Sequence, residues 1–318
     1  MSAEEERDGV RLTNLDQPLF EGADATKRDL VDYLDAVAGR IVPQLAGRPL
    51  SVIRVLRGQK PFMQKNLPKY TPEWVRRVRM WAETSRREVS YALCDDRRTL
   101  LWFANQRAVE YHPPLYRADA PDRPVHLVID IDPPGADAFG AAVRAAHLVR
   151  RAMDDSGLRG AVKTSGAKGV HVFVPLDGRT PAEDVAAATR ALGVRAERLD
   201  PDLATTAFIR EDRGGKVFLD STRAGGATVV AAYSPRIRPG TPVSFPVAWD
   251  DLDGVAPADF TIKTALGVLA GRDSWSELLP EPQALPADLI EQGRAIPIAR
   301  VQAMHEGKRR ARARRDAG

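Results

Sequence analysis

Three aspartates close two apolar segments of the sequence and suggest metal-dependent chemistry. Asp130 and Asp132 end the segment VHLVIDID, and Asp220 ends the segment KVFLD about 90 residues later. Because side chains at positions i and i+2 of a strand project from the same face, Asp130 and Asp132 point together. Neighbouring carboxylates repel unless a cation lies between them, and hard oxygen ligands select Mg²⁺ or Mn²⁺. We therefore predict that these three aspartates are the catalytic residues and hold two divalent ions.

Such a set of carboxylates suits a two-metal mechanism, in which one ion activates a hydroxyl and the other neutralises a triphosphate. An isolated Asp-x-Asp pair has other interpretations. It also suits a strand end that faces water, and it occurs in haloacid-dehalogenase phosphatases and in glycosyltransferases. A phosphatase would use Asp130 as the nucleophile and would have no need of Asp220. The second apolar strand ending in Asp220 favours the metal site.

The sequence KTSGAKGVHVFVPL, between these acids, predicts a turn that could bind a phosphate. Gly166 and Gly169 permit close approach of the backbone to an anion, and Ser165, Lys168 and His171 supply a hydroxyl, a positive charge and a ring donor. The Walker A spacing is absent, so a P-loop ATPase is disfavoured. The alternative is an ordinary hairpin with an exposed lysine and a core histidine.

Two further segments carry candidate ligand contacts. In AAYSPRIRPGTPVS, Arg236 and Arg238 lie near a Pro-Gly turn and could clamp a triphosphate, since guanidinium groups match phosphate oxygens; the alternative is a solvated loop. In KPFMQKN, Phe62 and Met63 stand among lysines that include Lys65. An apolar pair among cations could stack on a base and contact the nucleic-acid backbone, although Phe62 could equally be part of the core.

Elements with helical and strand patterns alternate along the chain and predict an α+β class with a mixed sheet. The predicted helices cover residues 26–45 with Thr26 as N-cap, 99–108, 138–157 and 181–194. The predicted strands are RPLSVIRVL, VRRVRMWA, EVSYALC, HLVID, the two arms of the glycine-containing hairpin, KVFLD, ATVVAAYS and PVAW.

The bulk properties set limits on the class of protein. The chain has 318 residues, 43% of them hydrophobic, so it can bury a substantial core. The net charge is +4, but residues 308–318 carry six basic groups and one acid, which leaves the rest near −1. That tail could bind phosphate nonspecifically or lie in solvent. We predict no membrane span or signal segment, a cytoplasmic location and, since Cys94 is the single cysteine, no intramolecular disulfide.

For domain organisation we predict a disordered N-terminus over residues 1–12 and one catalytic domain over residues 13–295. The domain is expected to have two intimate lobes, 13–124 and 125–295. A short helix and the basic tail are expected over residues 296–318, and the protein is expected to be a monomer.

Together these segments resemble the polymerase domain of bacterial ligase D, the end-joining member of the archaeo-eukaryotic primase superfamily. The resemblance runs from about residue 12 to residue 269. The segments that carry it stand in the family's order and are LTNLDQPLF, TKRDLVDY, LAGRPL, PFMQKN, VEYH, HLVIDIDPP, TSGAKGVHVFVPL, RGGKVFLD and AAYSPRIRPGTPVS. It implies a two-lobed primase-polymerase fold with a central mixed or antiparallel sheet flanked by helices.

The resemblance also implies roles for individual residues. Asp130, Asp132 and Asp220 match the metal ligands. The residues that match nucleotide contacts or further active-site positions are Ser165, Lys168, Arg236, His112 and Arg213. Asn14 and Lys27 match the site for a downstream 5′-phosphate, and Phe62 matches one of two template-facing aromatics.

Three parts of the sequence depart from the family pattern. The second template-facing aromatic is replaced by Met63, which would weaken stacking. A phosphate-binding lysine is replaced by Gln17. The segment DSTRA, which begins at Asp220, lacks the family's aromatic and asparagine, although its Arg223 stands where the family has Arg or Gln. These changes put the DNA substrate, rather than the chemistry, in question.

The expected function is template-dependent nucleotidyl transfer from NTPs or dNTPs to a primer 3′-hydroxyl, in end joining or gap filling. The expected cofactors are Mn²⁺ or Mg²⁺, and the expected partners are primed, gapped or broken DNA, a separate DNA ligase and an end-binding protein. The sequence shows neither a ligase nor a nuclease module, which predicts a stand-alone, nucleoid-associated polymerase. The alternative is a non-catalytic DNA-binding accessory protein.

Overall fold

The computed structural model describes residues 5–82, 86–270 and 274–298. Its strands are β1 Glu5–Arg7, β2 Val10–Leu12, β3 Pro49–Arg54, β4 Phe62–Gln64, β5 Arg77–Ala82, β6 Arg87–Leu93, β7 Ala108–His112, β8 Tyr116–Arg117, β9 Ala120–Pro124, β10 His126–Asp132, β11 Ala161–Thr164, β12 Val170–Pro175, β13 Ala204–Thr205, β14 Val217–Asp220 and β15 Pro246–Val247. Its α-helices are α1 Lys27–Ala36, α2 Ala38–Leu45, α3 Arg97–Asn105, α4 Phe139–Asp154, α5 Ala182–Leu199, α6 Ala265–Leu269, α7 Trp275–Leu278 and α8 Ala287–Ala295. The predicted α+β class is confirmed.

The chain forms two compact units, and each is built from separate stretches of sequence. Unit 1 contains the described residues up to Asp122, Ala161–Ala167 and Thr228–Leu279, and unit 2 contains the remainder. The first predicted boundary, at residues 124 and 125, lies close to the observed one. The prediction of a continuous second lobe over residues 125–295 is wrong, because β11 pairs with β15, with Val162 opposite Val247, inside unit 1.

Unit 1 contains a five-stranded sheet and, among its described residues, the helices α1, α2, α3, α6 and α7. Its strand order is β4-β3-β6-β5, with β7 also paired to β3. Thr26 begins α1 with a capping box, in which its hydroxyl accepts from the backbone of Asp29 and the Asp29 carboxylate accepts from the Thr26 backbone. The predicted N-cap is therefore confirmed. The predicted single helix is two helices that meet at Val37, and α2 contains Pro43, which lacks the N–H that a helix interior needs.

Residues 5–12 are ordered rather than disordered. The strands β1 and β2 form an antiparallel pair, with Glu5 opposite Leu12. Leu12 is fully buried, and Arg7 makes ion pairs of 2.6 Å with Asp32 and 3.1 Å with Asp35 on α1. The prediction of disorder over residues 1–12 is therefore wrong for residues 5–12. The order of this segment was missed because Asp32 and Asp35, which hold Arg7 against α1, lie more than twenty residues away in the sequence.

Unit 2 is a mixed sheet with the order β13-β14-β10-β12. The pairs β14-β10 and β10-β12 are antiparallel, whereas β13 and β14 are parallel. The helices α4 and α5 contact each other and strands of this sheet, and α8 packs on α5. Every residue of β10 from His126 to Ile131 is buried. The buried strand that the apolar run predicted is therefore confirmed.

Other predicted elements differ in extent. The segment ATVVAAYS is irregular rather than a strand, and Thr228 makes an isolated bridge with Pro114. The last helix, α8, ends at Ala295, before the predicted range of 296–318. The basic tail lies outside the described residues. No helix among the described residues has the length and apolar character that a membrane span requires.

The contact between α5 and α8 is close enough to forbid a side chain at Gly293. A Cβ at this position would overlap the carbonyl oxygen of Ala187. We predict that Gly293→Ala lowers the free energy of unfolding by about 1–3 kcal/mol, the cost of overpacking, measured by denaturant unfolding. Gly140→Ala is the control, because a Cβ there would meet no described atom within 4 Å. An equal loss of stability in both variants would contradict the predicted contact.

Candidate active site

The strand register of unit 2 places two carboxylates and an imidazole side by side. Asp130 on β10 lies directly opposite Asp220 on β14 and directly opposite His171 on β12. Side chains at directly opposed positions of antiparallel strands point to the same face, with Cβ atoms about 4.5–5.5 Å apart. Asp132 lies two residues further along the same face of β10. The structure therefore brings the three predicted catalytic aspartates to one end of one sheet face.

Each oxygen of the two opposed carboxylates has a partner. The Oδ1 atom of Asp130 lies 3.2 Å from Nε2 of His171. The Oδ1 atom of Asp220 accepts from the backbone N–H and the hydroxyl of Thr222, at 2.8 and 2.6 Å. The Oδ2 atoms of both aspartates face Nη2 of Arg223, at 2.7 Å from Asp130 and 3.1 Å from Asp220. Arg223 therefore bridges the two carboxylates.

The charges of this cluster perturb one another. Burial disfavours ionised Asp130, but the charges and hydrogen bonds of His171 and Arg223 outweigh it and hold the pKa of Asp130 well below its usual value. Burial and the neighbouring charge of Asp130 raise the pKa of Asp132. Although burial opposes it, the carboxylates raise the pKa of Arg223. The positive charges near Asp130 thus favour its ionised form.

Lys168 lies beside Asp132, the outermost of the three aspartates. Its Nζ donates to the carbonyl oxygen of Pro133 at 2.7 Å and lies 4.0 Å from Oδ1 of Asp132. Both side chains are partly exposed, at 41% and 37%. The neighbouring Gly169 has no room for a side chain, because a Cβ would overlap the carbonyl oxygen of Ile131. Glycine is therefore needed for the close approach of the two backbones at this point.

The donor set of the aspartates has the chemistry that a divalent metal requires, namely hard carboxylate oxygens. Arg223 already stands between Asp130 and Asp220 as a cation, so the space between these carboxylates accommodates positive charge. Among the described residues, however, no three His, Cys, Asp or Glu side chains converge in an arrangement that could hold a metal ion. The residues fit a metal in kind, and the guanidinium of Arg223 contacts oxygens of the carboxylates that would hold it.

Unit 1 contains a second group of predicted site residues. Nη1 of Arg236 donates to the carbonyl oxygen of Ser165 at 2.5 Å, and the hydroxyl of Ser165 accepts from the backbone of Ala167 at 3.2 Å. Gly166 between them has φ of +67°, and a Cβ there would crowd Arg236 and the backbone of Ser244. Glycine is needed in this turn, because both the conformation and the space exclude a side chain. The close approach is to other parts of the protein, and the predicted approach to an anion stays a prediction.

Glu110 is a residue of this group that the sequence analysis missed. Its carboxylate lies 2.8 Å from Nε2 of His112 and 3.2 Å from Nε of Arg236, and it accepts from the backbone of Ile237 at 2.8 Å. Burial opposes its ionisation, but the hydrogen bond to His112 and the charge of Arg236 lower the pKa of Glu110 to about 2. Burial also lowers the pKa of His112. An acid within the apolar segment AVEYH was the signal that could have indicated it.

Two residues that were predicted to contact the nucleotide interact with nearby protein groups in this structure. The guanidinium of Arg213 lies 3.6 Å above the ring of Phe218 and donates to the carbonyl oxygens of Ala207 and Phe208. Arg238 is exposed and donates to the carbonyl oxygen of Ile237 at 3.3 Å. Their assignment to a nucleotide stays a prediction.

The residues predicted to contact DNA lie in unit 1. Asn14, Met63 and Lys65 are exposed, and Phe62 is half-buried beneath the guanidinium of Arg54. Lys27 is only 3% exposed, and its Nζ donates to Asn105 Oδ1 at 2.7 Å and to the carbonyl oxygen of Thr13. Burial, followed by the charge of Arg107, lowers the pKa of Lys27 to about 8. Lys27 therefore donates to protein atoms in this structure, whereas the resemblance implied that it contacts a 5′-phosphate.

The buried carboxylate of Glu110 generates a prediction about pH. Its pKa is about 2 in the fold against an ordinary value of 4.5, so ionised Glu110 stabilises the fold above about pH 4.5 and loses this contribution as the pH falls toward 2. We predict that Glu110→Gln lowers the free energy of unfolding by about 3 kcal/mol at pH 7 and by much less at pH 3.

Denaturant unfolding at pH 7, 4 and 3 measures this difference. The control is Glu88→Gln, which changes an exposed glutamate of β6 and should shift stability by no more than about 0.5 kcal/mol. A loss in Glu110→Gln that is the same at every pH would show that the charge of Glu110 is not what stabilises the group.

Comparison with known proteins identifies the family. Residues 26–275 match the family model of the LigD primase-polymerase domain. The bifunctional non-homologous end joining protein LigD of Bacillus subtilis is 33% identical over 262 residues, which are 81% of this chain and 42% of that protein. The multifunctional non-homologous end joining DNA repair protein LigD of Mycobacterium tuberculosis strain H37Rv is 33% identical over 266 residues, which are 80% of this chain and 34% of that protein.

A solved structure agrees with this assignment. It is the polymerase domain of Mycobacterium tuberculosis ligase D in complex with DNA, with a TM-score of 0.77 and 31% identity. The match covers 86% of this chain and 98% of that one. The chain thus spans less than half the length of these LigD proteins and nearly all of their solved polymerase domain. The chain belongs to the LigD primase-polymerase domain family.

Proposed function

We propose that this chain is a template-dependent nucleotidyltransferase that extends a primer 3′-hydroxyl with NTPs or dNTPs. The observation that carries the proposal is the register of unit 2, which aligns Asp130 with Asp220 and leaves Asp132 on the same face of β10. Carboxylates at these three positions suit nucleotidyl transfer, because they provide oxygen ligands at the exposed end of an otherwise buried sheet.

In this proposal Asp130, Asp132 and Asp220 hold two divalent ions, Mg²⁺ or Mn²⁺. When bound, such ions lower the pKa of an attacking hydroxyl and neutralise charge on the triphosphate and on the leaving pyrophosphate. The chain's own residues orient these ligands. Thr222 donates to Oδ1 of Asp220 from the loop after β14, and His171 contacts Oδ1 of Asp130 from the neighbouring strand β12. The Oδ2 atoms of both aspartates then face a common point.

The incoming nucleotide would be bound by residues that match the family's contacts. Ser165, Lys168 and Arg236 are assigned to the triphosphate, since a hydroxyl, an ammonium and a guanidinium all donate to phosphate oxygens. Glu110 would hold Arg236 and His112 in fixed orientations, because it contacts both side chains while it is itself buried. His112 would then present a neutral ring, because burial disfavours its charged form.

The proposed substrate is primed, gapped or broken DNA, and the proposed pathway is non-homologous end joining. The related domain of Mycobacterium tuberculosis was solved with DNA, and the LigD relatives are named as end-joining proteins. A DNA ligase activity and an end-binding protein would be needed to complete such repair. Exposed Lys65 and half-buried Phe62 on or beside β4 are suited to contacting a DNA strand.

One observation favours a second candidate, a DNA-binding accessory protein without catalysis. Arg223 occupies the space between Asp130 and Asp220, and an arginine that never leaves would exclude the metal. The two candidates differ in a single measurement, because only the polymerase extends a primer.

We predict that Asp130→Ala with Asp132→Ala abolishes primer extension in the presence of Mn²⁺, with a loss of at least about a thousandfold, because two of the three proposed metal ligands are removed. The measurement is extension of a labelled primer on a gapped template, with circular dichroism to verify the fold. The charge-matched control is Asp154→Ala with Asp155→Ala at the exposed end of α4. Full extension by the Asp130 and Asp132 variant would overturn the assignment.

A second prediction concerns the 5′-phosphate of a gap. Gln17 is half-buried beside Arg107 in a cavity of about 470 Å³ in unit 1, and the family has a phosphate-binding lysine at this position. We predict that Gln17→Lys strengthens binding to a 5′-phosphorylated gap about tenfold more than binding to an unphosphorylated gap. The slope of log K against log salt should steepen by about one.

Fluorescence anisotropy on the two gapped duplexes measures the ratio of affinities. Gln44→Lys is the matched control, because it adds the same charge on α2 and should strengthen binding to both duplexes equally. An unchanged ratio in Gln17→Lys would place 5′-phosphate recognition elsewhere.

A further inference from the structure

Arg223 occupies the one position from which a cation contacts both opposed aspartates. The Oδ1 atoms of Asp130 and Asp220 are engaged by His171 and Thr222, so each carboxylate has its Oδ2 atom left for a shared cation. A single nitrogen of Arg223, Nη2, lies 2.7 Å from one Oδ2 and 3.1 Å from the other. These are distances of charge-assisted hydrogen bonds.

The chain around Arg223 allows its side chain to leave without unfolding the sheet. Arg223 begins a single 3₁₀ turn of Arg223–Gly225, three residues after the end of β14, and its side chain is 31% exposed. Gly226, which follows, has φ of +93°. Among the described residues, Nε of Arg223 is buried and has no hydrogen-bond partner, so the guanidinium is held by the carboxylates and not by a wider network.

Electrostatics favours a cation at this position. Two carboxylates directly opposite each other on adjacent strands repel, and their pairing is unfavourable unless a positive charge compensates it. Arg223 supplies that charge from within the chain. A divalent ion at the same oxygens would supply it from solution, and the two cations cannot occupy one point together.

We propose that Arg223 is an intramolecular counter-cation that competes with the divalent metal for Asp130 and Asp220. It stabilises the metal-free fold and lowers the affinity for the metal, so that metal binding requires the guanidinium to leave. This inference rests on the proposed metal site. It predicts that the metal-free protein is folded and binds the metal weakly. The affinity for the metal depends on whether the Arg223 side chain contacts the two aspartates.

The test is the affinity of nucleotide-free protein for Mn²⁺, measured by the loss of the electron paramagnetic resonance signal of free Mn²⁺. Arg223→Gln should bind Mn²⁺ about ten- to a hundredfold more tightly than the wild type, the range that corresponds to losing hydrogen bonds to a charged group. Arg223→Lys retains the charge on a shorter side chain and should give an intermediate affinity. Arg179→Gln removes a charge whose side chain is 88% exposed and should leave the affinity unchanged.

Thermal unfolding provides a second readout that does not depend on activity. Without metal, Arg223→Gln should unfold at a lower temperature than the wild type, because the facing carboxylates are no longer compensated. Mn²⁺ should then raise its midpoint by more than it raises that of the wild type, since a tighter ligand stabilises the folded state more. If Arg223→Gln does not fold without Mn²⁺, the Mn²⁺ affinity of Arg223→Lys is compared with that of the wild type, and tighter binding by Arg223→Lys supports the competition.

The outcomes separate the inference from the function on which it rests. Equal or weaker Mn²⁺ binding in both Arg223 variants would overturn the competition and leave the metal site in place. If neither the wild type nor the variants bind Mn²⁺, the metal site itself is wrong, and the inference fails with it. Asp130→Asn in the Arg223→Gln background should abolish the gain in affinity, and a gain that persists would place the metal elsewhere and refute the competition.

Discussion

The opposition of Asp130 and Asp220 across β10 and β14 is the constraint on which the site depends. Like charges at directly opposed positions destabilise a sheet, so a positive partner stabilises this register. Arg223 and His171 provide positive or hydrogen-bonding groups on two sides of Asp130. Because the compensation is electrostatic, a different cation at the same carboxylates would also provide it. The proposed exchange of Arg223 for a divalent ion therefore requires no change of register.

The register itself is set by packing. In β10 the residues from Leu127 to Ile131 are almost entirely buried, and a slip of one residue would turn the carboxylates into the other face of the sheet. Close backbone approach at Gly169, beside Ile131, adds a second restraint at the end of the strand. The hydrophobic core therefore determines where the charges stand, and the charges determine which ligands can be bound there.

The parts of the site that the sequence predicted depend on local rules. Period-two alternation placed Asp130 and Asp132 on one face, and the Thr26 cap follows from short-range hydrogen bonding. The bridge from Arg223 to Asp130 and the contacts of Glu110 were not predictable, because they depend on which strands pair and in what register. The burial of Lys27 was missed for the same reason, since its partner Asn105 is 78 residues away. The discontinuous units likewise arise from long-range pairing of β11 with β15.

Glu110 and Asp130 show how two buried carboxylates with similar surroundings can serve different ends. Both have a histidine and an arginine as neighbours, and in both the pKa is lowered despite burial. Glu110 also accepts from the backbone of Ile237, and its partners come from positions 112, 236 and 237, so exchanging them would disturb several segments. Asp130 instead shares Arg223 with Asp220, and this arginine lies on one short turn with a partly exposed side chain. Glu110 is therefore suited to holding the side chains of His112 and Arg236 in place. Asp130 is suited to exchanging Arg223 for another cation, as the proposed metal binding requires.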